Sequence, residues 1–421
     1  MSDRYDVVVF GPTGVTGREV ARYVSGRAGE LGLSWAVAGR DRRRIDEALA
    51  RVHARPDGVL LADIEDPSSI EAMVAATGVV VNLVGPYARY GEPVYAACSA
   101  AGTHQLDLTG ETDWLRSMID RYDEPAAVSG AKIVPTCGFE ALPFDLACRY
   151  ASAIAYERSG RAVTAVDIAV SISNETSLRS ASDAVSGGTF TSGLDAFERG
   201  ALARADPYEL DPPGSRASGR YSFVPRRHAG TRDWLAPVFP SPVLNPPIVH
   251  RSAALARREG DPTYAPDFRY TEGTVASSLV PVPGASLLGP SVAASMAVMQ
   301  AGMTVAGMAP SPVRRAMADL GRRLGPSAGE GPRPESLDRW SYRLDARATT
   351  ADGVTVDVQV DGDGHPGYKS TATIVGEAAL ALADPSAPVP DVAGVVTPAA
   401  ALGLDALDRF RAAGLRFSVV R

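Results

Sequence analysis

Residues 7–17 read VVVFGPTGVTG: three valines and a phenylalanine, then glycines at positions 11, 14 and 17. A short apolar run ended by glycine predicts a strand buried on both faces, and the amphipathic stretch Gly17–Ser25 predicts a helix after it. Strand, glycine turn and helix make the setting that a dinucleotide fingerprint requires. Gly11 permits the tight turn, Gly14 lets backbone approach a pyrophosphate, and Gly17 lets the helix lie close to the strand. Thr13 and Thr16 stand between them, and the anion would rest on N–H groups at the helix N-terminus. Glycine spacing alone also suits a purely structural turn, so the context decides.

That context alternates. Strands are expected at Tyr5–Phe10, Ser34–Ala38, Val59–Ala62, Val79–Val84, Gln105–Leu108 and Lys132–Pro135. Amphipathic helices are expected between them, at Arg42–Val52, Ser68–Ala76, Pro93–Ala101 and Thr112–Ser129. Apolar strands joined by crossover helices predict a doubly wound parallel sheet, a Rossmann domain over residues 1–150. After a helix at Pro143–Tyr156 the pattern changes. Val163–Ser173 alternates as a half-buried strand, SGGTFTSG opens a helix toward Arg199, and 204–265 reads as long Pro- and Arg-rich loops. Phe268–Ala276, Trp340–Thr349 and Val354–Val360 read as strands, the last two joined at Asp352-Gly353. Helices are expected at Lys369–Leu382 and Pro398–Ala413. The fold class is α/β: the Rossmann sheet plus an α+β domain with an antiparallel sheet at 151–390, for substrate or oligomerisation, possible as a homodimer. A C-terminal helix and tail at 391–421 would pack back on the body.

The end of the second strand selects the cofactor, because an acid there takes a ribose hydroxyl and an arginine takes a 2′-phosphate. The sequence is AVAGRDRRR, with Arg40 at that point. Arginine forks bind phosphate, which favours NADP; Asp41 is the competing signal. Asp63, after the third strand, either borders the adenine or caps a helix. The fourth strand ends VVNLVGPYARYGEP, so Asn82, Val84, Gly85 and Pro86 edge the crevice, with Tyr87 and Tyr90 as the nearest hydroxyls. Thr109-Gly110-Glu111 and Cys137-Gly138-Phe139 continue its wall.

Composition narrows the chemistry. A net charge of −7 over 421 residues argues against nucleic acid as a partner. Lys132 and Lys369 are the only lysines, and Val128 and His365 stand four residues before them, so the Tyr/Lys dyad of short-chain dehydrogenases is absent. The three cysteines, Cys98, Cys137 and Cys148, offer no zinc spacing and fit a reduced, cytoplasmic setting; no metal is expected. The polar start MSDRYD leads straight into a strand, so no signal peptide is expected. From Gly273 to Val313 no residue is charged. Pro281, Pro283 and Pro290 interrupt the segment, and Ser291–Ala309 is expected as a buried helix rich in small residues. The alternatives are a peripheral membrane contact and the wall of a lipid site.

GPTGVTG, AGRDRRRI, VVNLVGPYARYGEPV, GTHQLDLTGE and IVPTCGFEALPFD together resemble the saccharopine dehydrogenase-like oxidoreductases. With SGGTF, APDFRYTE and HPGYKSTATIVGEAALALA, the chain is most similar to the trans-acting enoyl reductase branch, over nearly its whole length. Pro12 stands where alanine is usual, Glu140 and His365 where aspartate is usual. The resemblance implies hydride transfer from NADPH to the β-carbon of an α,β-unsaturated, polyketide- or lipid-type thioester, presented by an acyl carrier protein. That chemistry needs a donor to the enolate oxygen and a proton source for the α-carbon. Tyr87 and Tyr90 are the first candidates, with His104, Glu111 and Glu140 behind them. Two other readings stay open. One is a saccharopine-type imine reductase using Arg220, Arg226, Arg227 and Arg232; the other is a non-catalytic NADP-binding, membrane-associated protein. Ser186-Gly187-Gly188-Thr189 is either an anion site or an ordinary helix start.

Overall fold

The structure, a computed structural model, describes residues 4–175, 186–214, 219–238, 242–279, 285–326 and 331–420. In chain order its strands are β1 (Tyr5–Phe10), β2 (Trp35–Gly39), β3 (Gly58–Leu61), β4 (Thr77–Asn82), β5 (His104–Asp107), β6 (Lys132–Val134) and β7 (Val163–Asn174). Then come β8 (Arg226–Arg227), β9 (Trp234–Ala236), β10 (Tyr264–Val275), β11 (Trp340–Thr350), β12 (Thr355–Asp363), β13 (Gly394–Val395) and β14 (Arg416–Val419). They form two seven-stranded sheets, ordered β13-β6-β5-β4-β1-β2-β3 and β14-β12-β11-β7-β10-β9-β8.

Every pairing in the first sheet is parallel. Val7 and Val9 of β1 join one core with Val20, Ile45 and Ile374, whereas Val8 and Phe10 join another with Ile70, Val94 and Leu115. Both faces are covered, which is why the strand is apolar without alternation. Burying each such side chain contributes about 1.5–3 kcal/mol. The strand order reverses between β1 and β4, and at such a switch point a crevice opens outside the carboxyl ends of the strands.

The second sheet is mixed. β7 and β10 pair in parallel, and its other pairings are antiparallel. The helix Leu142–Ser159 leaves the first sheet and packs across β11 and β12, joining the layers.

Five stretches depart from expectation. Within 204–265 the chain forms the helix Asn245–Arg258, whose first ten residues are all buried. A helix buried all round carries no amphipathic period, so it reads as a loop. The helix expected over 398–413 is two short ones, Pro398–Leu402 and Leu407–Ala412, parted at Gly403, which takes φ +67°. The C-terminal tail contributes strands as well as helix: β13 extends the first sheet and β14 the second. The helix Thr371–Ala383, expected with the second domain, lies against β1, β4 and Val15–Arg27 of the first.

The uncharged segment is the fifth departure. Beyond β10 it forms the helix Ala285–Gly307, with Pro290 inside it; Pro281 and Pro283 lie outside the described residues. Only Gly289, Ala293, Gln300 and Gly307 of that helix are buried, so the expected buried helix is instead a largely exposed one. Among the described residues no helix is long and apolar enough to cross a membrane.

Candidate active site

The glycine loop lies at the switch point. Gly11 takes φ +92°, and a Cβ there would stand 3.0 Å from Val84 Cγ2 and 3.3 Å from Leu83 C. A Cβ on Gly17 would stand 2.2 Å from Gly11 O, so only glycine lets the helix Val15–Arg27 come this close to the turn. At Gly14 the nearest atom is 4.0 Å away: this face of the loop is open. Gly14 is the helix N-cap, no side chain caps it, and the first turn holds no acid. Its amides and the positive end of the helix dipole are thus available to an anion. Thr13 is exposed and its carbonyl accepts from Arg18 at 2.8 Å, while Thr16 is half-buried. Asn82 is fully buried at the end of β4; its Oδ1 accepts from Val84 N at 3.1 Å and its Nδ2 has no partner among the described residues. Val84 and the exposed Gly85 continue the rim. A cradle that a Cβ would close and a buried donor left over both suit a dinucleotide.

The charges around Arg40 are sorted by the helix behind it. Asp41 is the N-cap of Arg42–Val52 and accepts from Arg44 N at 3.1 Å. Arg42 pairs with Asp46 at 3.0 Å, Arg43 with Glu47 at 3.8 Å and Arg44 with Asp41 at 3.7 Å. Arg40 is exposed and has no carboxylate partner among the described residues. A free guanidinium beside an acid already used as a cap is the arrangement a 2′-phosphate needs. Asp63 accepts from Glu65 N at 3.1 Å and closes the turn after β3, whereas Asp66 caps the next helix.

The expected proton donors fare differently. Tyr87 is buried; its hydroxyl donates to Asn82 O at 3.1 Å and accepts from Leu108 N at 3.2 Å. It staples β4 to β5, and burial pushes its pKa well above the usual phenol value. Tyr87 thus has both donor and acceptor committed in this structure. Tyr90, 37% exposed, ends the same four-residue helix and has no hydrogen bond to the groups described next among the described residues. His104 begins β5, at the opposite edge of the sheet from the crevice; its Nδ1 accepts from Lys132 N at 3.1 Å and burial lowers it to about 4. Glu111 accepts from Ala88 N. Cys137 is fully buried, and burial pushes its thiol well above its usual value, leaving it a small apolar residue.

What the fold brings to the crevice is a different set. Glu140 follows β6, and its Oε1 is buried without a partner among the described residues. Burial first, and then the Glu272 carboxylate, raise it to about 8. Glu272 comes from β10 and is raised to about 7, again by burial. It accepts from Tyr270 Oη at 2.6 Å and from Asn245 Nδ2 at 3.0 and 3.2 Å. Asn245 opens the buried helix, and its neighbour Leu244 closes on Gly110 at the end of β5: a Cβ on Gly110 would stand 3.2 Å from Leu244 Cδ2. Two carboxyl groups repelling each other in a low-dielectric site keep a proton at neutral pH. Sequence reasoning left Glu140 as a secondary candidate and missed Glu272, Asn245 and Tyr270. The APDFRYTE stretch held two of those three.

A cleft opens beside this cluster, lined by Arg220, Tyr221, Phe223, Leu235, Tyr270 and Glu272. Among the described residues the Tyr221 hydroxyl makes one long contact, 3.4 Å, to Val243 O, and burial raises its pKa well above the usual phenol value, so its hydroxyl is a neutral donor. Of Arg220, Arg226, Arg227 and Arg232, the first two line this cleft and the others do not. Arg226 is held at 2.8 and 2.6 Å by both oxygens of Asp167, and Arg227 lies over the Trp234 ring at 5.2 Å. Ser186 caps the helix Gly187–Arg199 through Thr189 N at 3.3 Å, and its own N–H is taken by Tyr368 Oη. That is the ordinary helix start.

Comparison with known proteins follows the same lines. The saccharopine dehydrogenase NADP binding domain is matched over residues 7–134. A provisionally named trans-acting enoyl reductase of Mycobacterium tuberculosis is 36% identical over 436 residues, 99% of this chain and 98% of its own. The trans-acting enoyl reductase of Mycobacterium leprae is 32% identical over 441 residues, with the same coverage. Among solved structures, apo saccharopine dehydrogenase (L-Glu forming) of Saccharomyces cerevisiae aligns over 99% of both chains at 12% identity, with a TM-score of 0.49.

Proposed function

The chain belongs to the saccharopine dehydrogenase-like oxidoreductases, in the trans-acting enoyl reductase branch, and is an NADP-dependent oxidoreductase; from that premise we propose that it reduces the double bond of an α,β-unsaturated acyl thioester presented by a carrier protein of a polyketide synthase. The observation that carries the reading is the pair Glu140 and Glu272, buried where the two sheets meet and raised toward neutrality.

The residues to hold the cofactor are the amides of Gly11–Gly17, with Asn82, Val84 and Gly85 along the rim, Asp63 near the adenine side, and Arg40 on the 2′-phosphate. When bound, NADPH supplies a hydride for the β-carbon. The work of the chain is to stabilise the enolate oxygen and to protonate the α-carbon. Glu140, protonated at neutral pH and free of partners on Oε1, gives its proton to the α-carbon and regains one from solvent. Glu272 sustains that protonation by its charge, and Tyr270 and Asn245 hold it in place. Tyr221 offers its hydroxyl to the developing enolate oxygen. A polycarboxylate imine would find Arg220 in the cleft, but the cleft also holds Glu272, and Arg226 is already paired with Asp167.

Incubation with NADPH and parallel panels of enoyl thioesters and cyclic imines tests the reading, followed by loss of the near-ultraviolet band of reduced nicotinamide. Oxidation with enoyl thioesters is the expected result. Turnover on imines alone, or tight NADPH binding without turnover on either panel, would overturn it.

A further inference from the structure

The two helices beyond β10, Ala285–Gly307 and Ser311–Leu324, turn apolar side chains toward solvent. Leu287 is 86% exposed, Val298 74% and Leu324 79%, with Met299, Val305, Met308, Val313, Met317 and Leu320 also exposed. In the second helix Val313, Met317, Leu320 and Leu324 recur at intervals of four, three and four, which puts them on one face. The opposite face is the one docked on the protein. Arg314 Nε donates to Glu198 O at 2.9 Å, and Arg322 reaches Asp195 and Glu198 at 2.8 and 2.7 Å. Water selects the reverse orientation, apolar face inward, so a stripe aimed outward has something to cover it.

We propose that this helical pair lies in the surface of an anionic lipid layer, its apolar stripe among the acyl chains and Arg315 and Arg323 at the headgroups. Charge favours this occupant. The whole chain carries −7, yet residues 285–326 hold four arginines against one aspartate; Arg314 and Arg322 are turned to the protein, while Arg315, 3.5 Å from Glu198, and Arg323 are exposed. An apolar stripe flanked by arginine is the pattern of an interfacial helix, and neither helix is long and apolar enough to span. A second copy related by a two-fold axis would instead meet this basic rim with its own. The surface also continues into the site. Gly289 packs on Trp234, where a Cβ would stand 3.4 Å from Trp234 Cβ, and the next residues, Leu235 and Ala236, line the cleft beside Glu272. A membrane-held apolar substrate would therefore meet the cleft without crossing water. The docking itself does not depend on which substrate is reduced.

The test is co-sedimentation of the full chain, with NADPH, on vesicles of phosphatidylcholine with and without phosphatidylglycerol. Binding to the anionic vesicles is expected, lost in the Met317→Glu/Leu320→Glu variant. Arg315→Gln/Arg323→Gln should weaken it by about 25-fold, from about fivefold per arginine near an anionic surface. NADPH titration of both variants, unchanged, confirms that they fold. Failure of the wild type to sediment with either vesicle overturns the proposal, as does sedimentation indifferent to M317E/L320E. So does a dimer in ultracentrifugation that M317E/L320E converts to monomer, which would assign the face to a second copy.

Discussion

Replacing Glu140 by glutamine keeps the shape of the side chain and removes its transferable proton. Oε1 of Glu140 has no partner to lose, so the substitution leaves no hydrogen bond of that atom broken. General acid catalysis by a positioned group contributes about 10²–10⁴-fold, and kcat should fall by that factor. The wild type carries its own control. With the carboxyl at about 8, about nine tenths of it is protonated at pH 7 and about one tenth at pH 9, so kcat should drop about tenfold across that interval. In Glu140→Gln the alkaline limb should vanish, leaving a low, flat profile. Glu272→Gln removes the neighbouring charge that raises Glu140 and should move the limb to lower pH. The assay is kcat against pH on one enoyl thioester at saturating NADPH, with NADPH affinity measured in parallel and expected unchanged. The reasoning is refuted if Glu140→Gln stays within about tenfold of wild-type kcat, or if it keeps the alkaline limb.

Arg40→Asp should weaken NADPH by about 10–100-fold, a charged hydrogen bond being worth about 1.5–3 kcal/mol, and leave NADH little changed; equal affinities by fluorescence titration would remove Arg40 from the site. Gly17→Ala places a Cβ within 2.2 Å of Gly11 O, so it should cost about 1–3 kcal/mol and abolish NADPH binding; a normal melting temperature with normal affinity would contradict the packing. Stability should also fall as pH rises. Asp107, Asp145, Glu140 and Glu272 are raised to about 6, 7, 8 and 7 by burial, so between the usual carboxylate range and pH 8 the folded state binds more protons than the unfolded one. Their contribution is therefore complete below the usual carboxylate range and lost by about pH 8. Denaturant midpoints at pH 5.5 and pH 8 check the sign, and a higher midpoint at pH 8 would refute it.

The first sheet was legible because its information is local. An apolar run such as Val7–Phe10, glycines at a required spacing, and Arg40 at a strand end are each read from a few neighbouring residues. β1, Arg42–Val52 and Thr112–Ser129 form over the same residues that periodicity predicts. The second half was less legible, since the buried helix Asn245–Arg258 has no polar face to mark it.

The reacting groups lay beyond local reading altogether. Tyr87 stands where a crevice hydroxyl belongs, but the return of β5 beside β4 consumes both of its hydrogen-bonding functions. Glu140, a secondary candidate in the sequence, is raised first by its burial and then by Glu272, which β10, far along the chain, sets near it. A pKa is set by surroundings, and the surroundings of Glu140 are assembled by both sheets. The uncharged stretch shows the same division. That residues 273–313 carry no charge is written in the sequence; that Arg314 and Arg322 anchor the following helix by its polar face, turning its apolar stripe outward, is decided by tertiary contacts with Asp195 and Glu198.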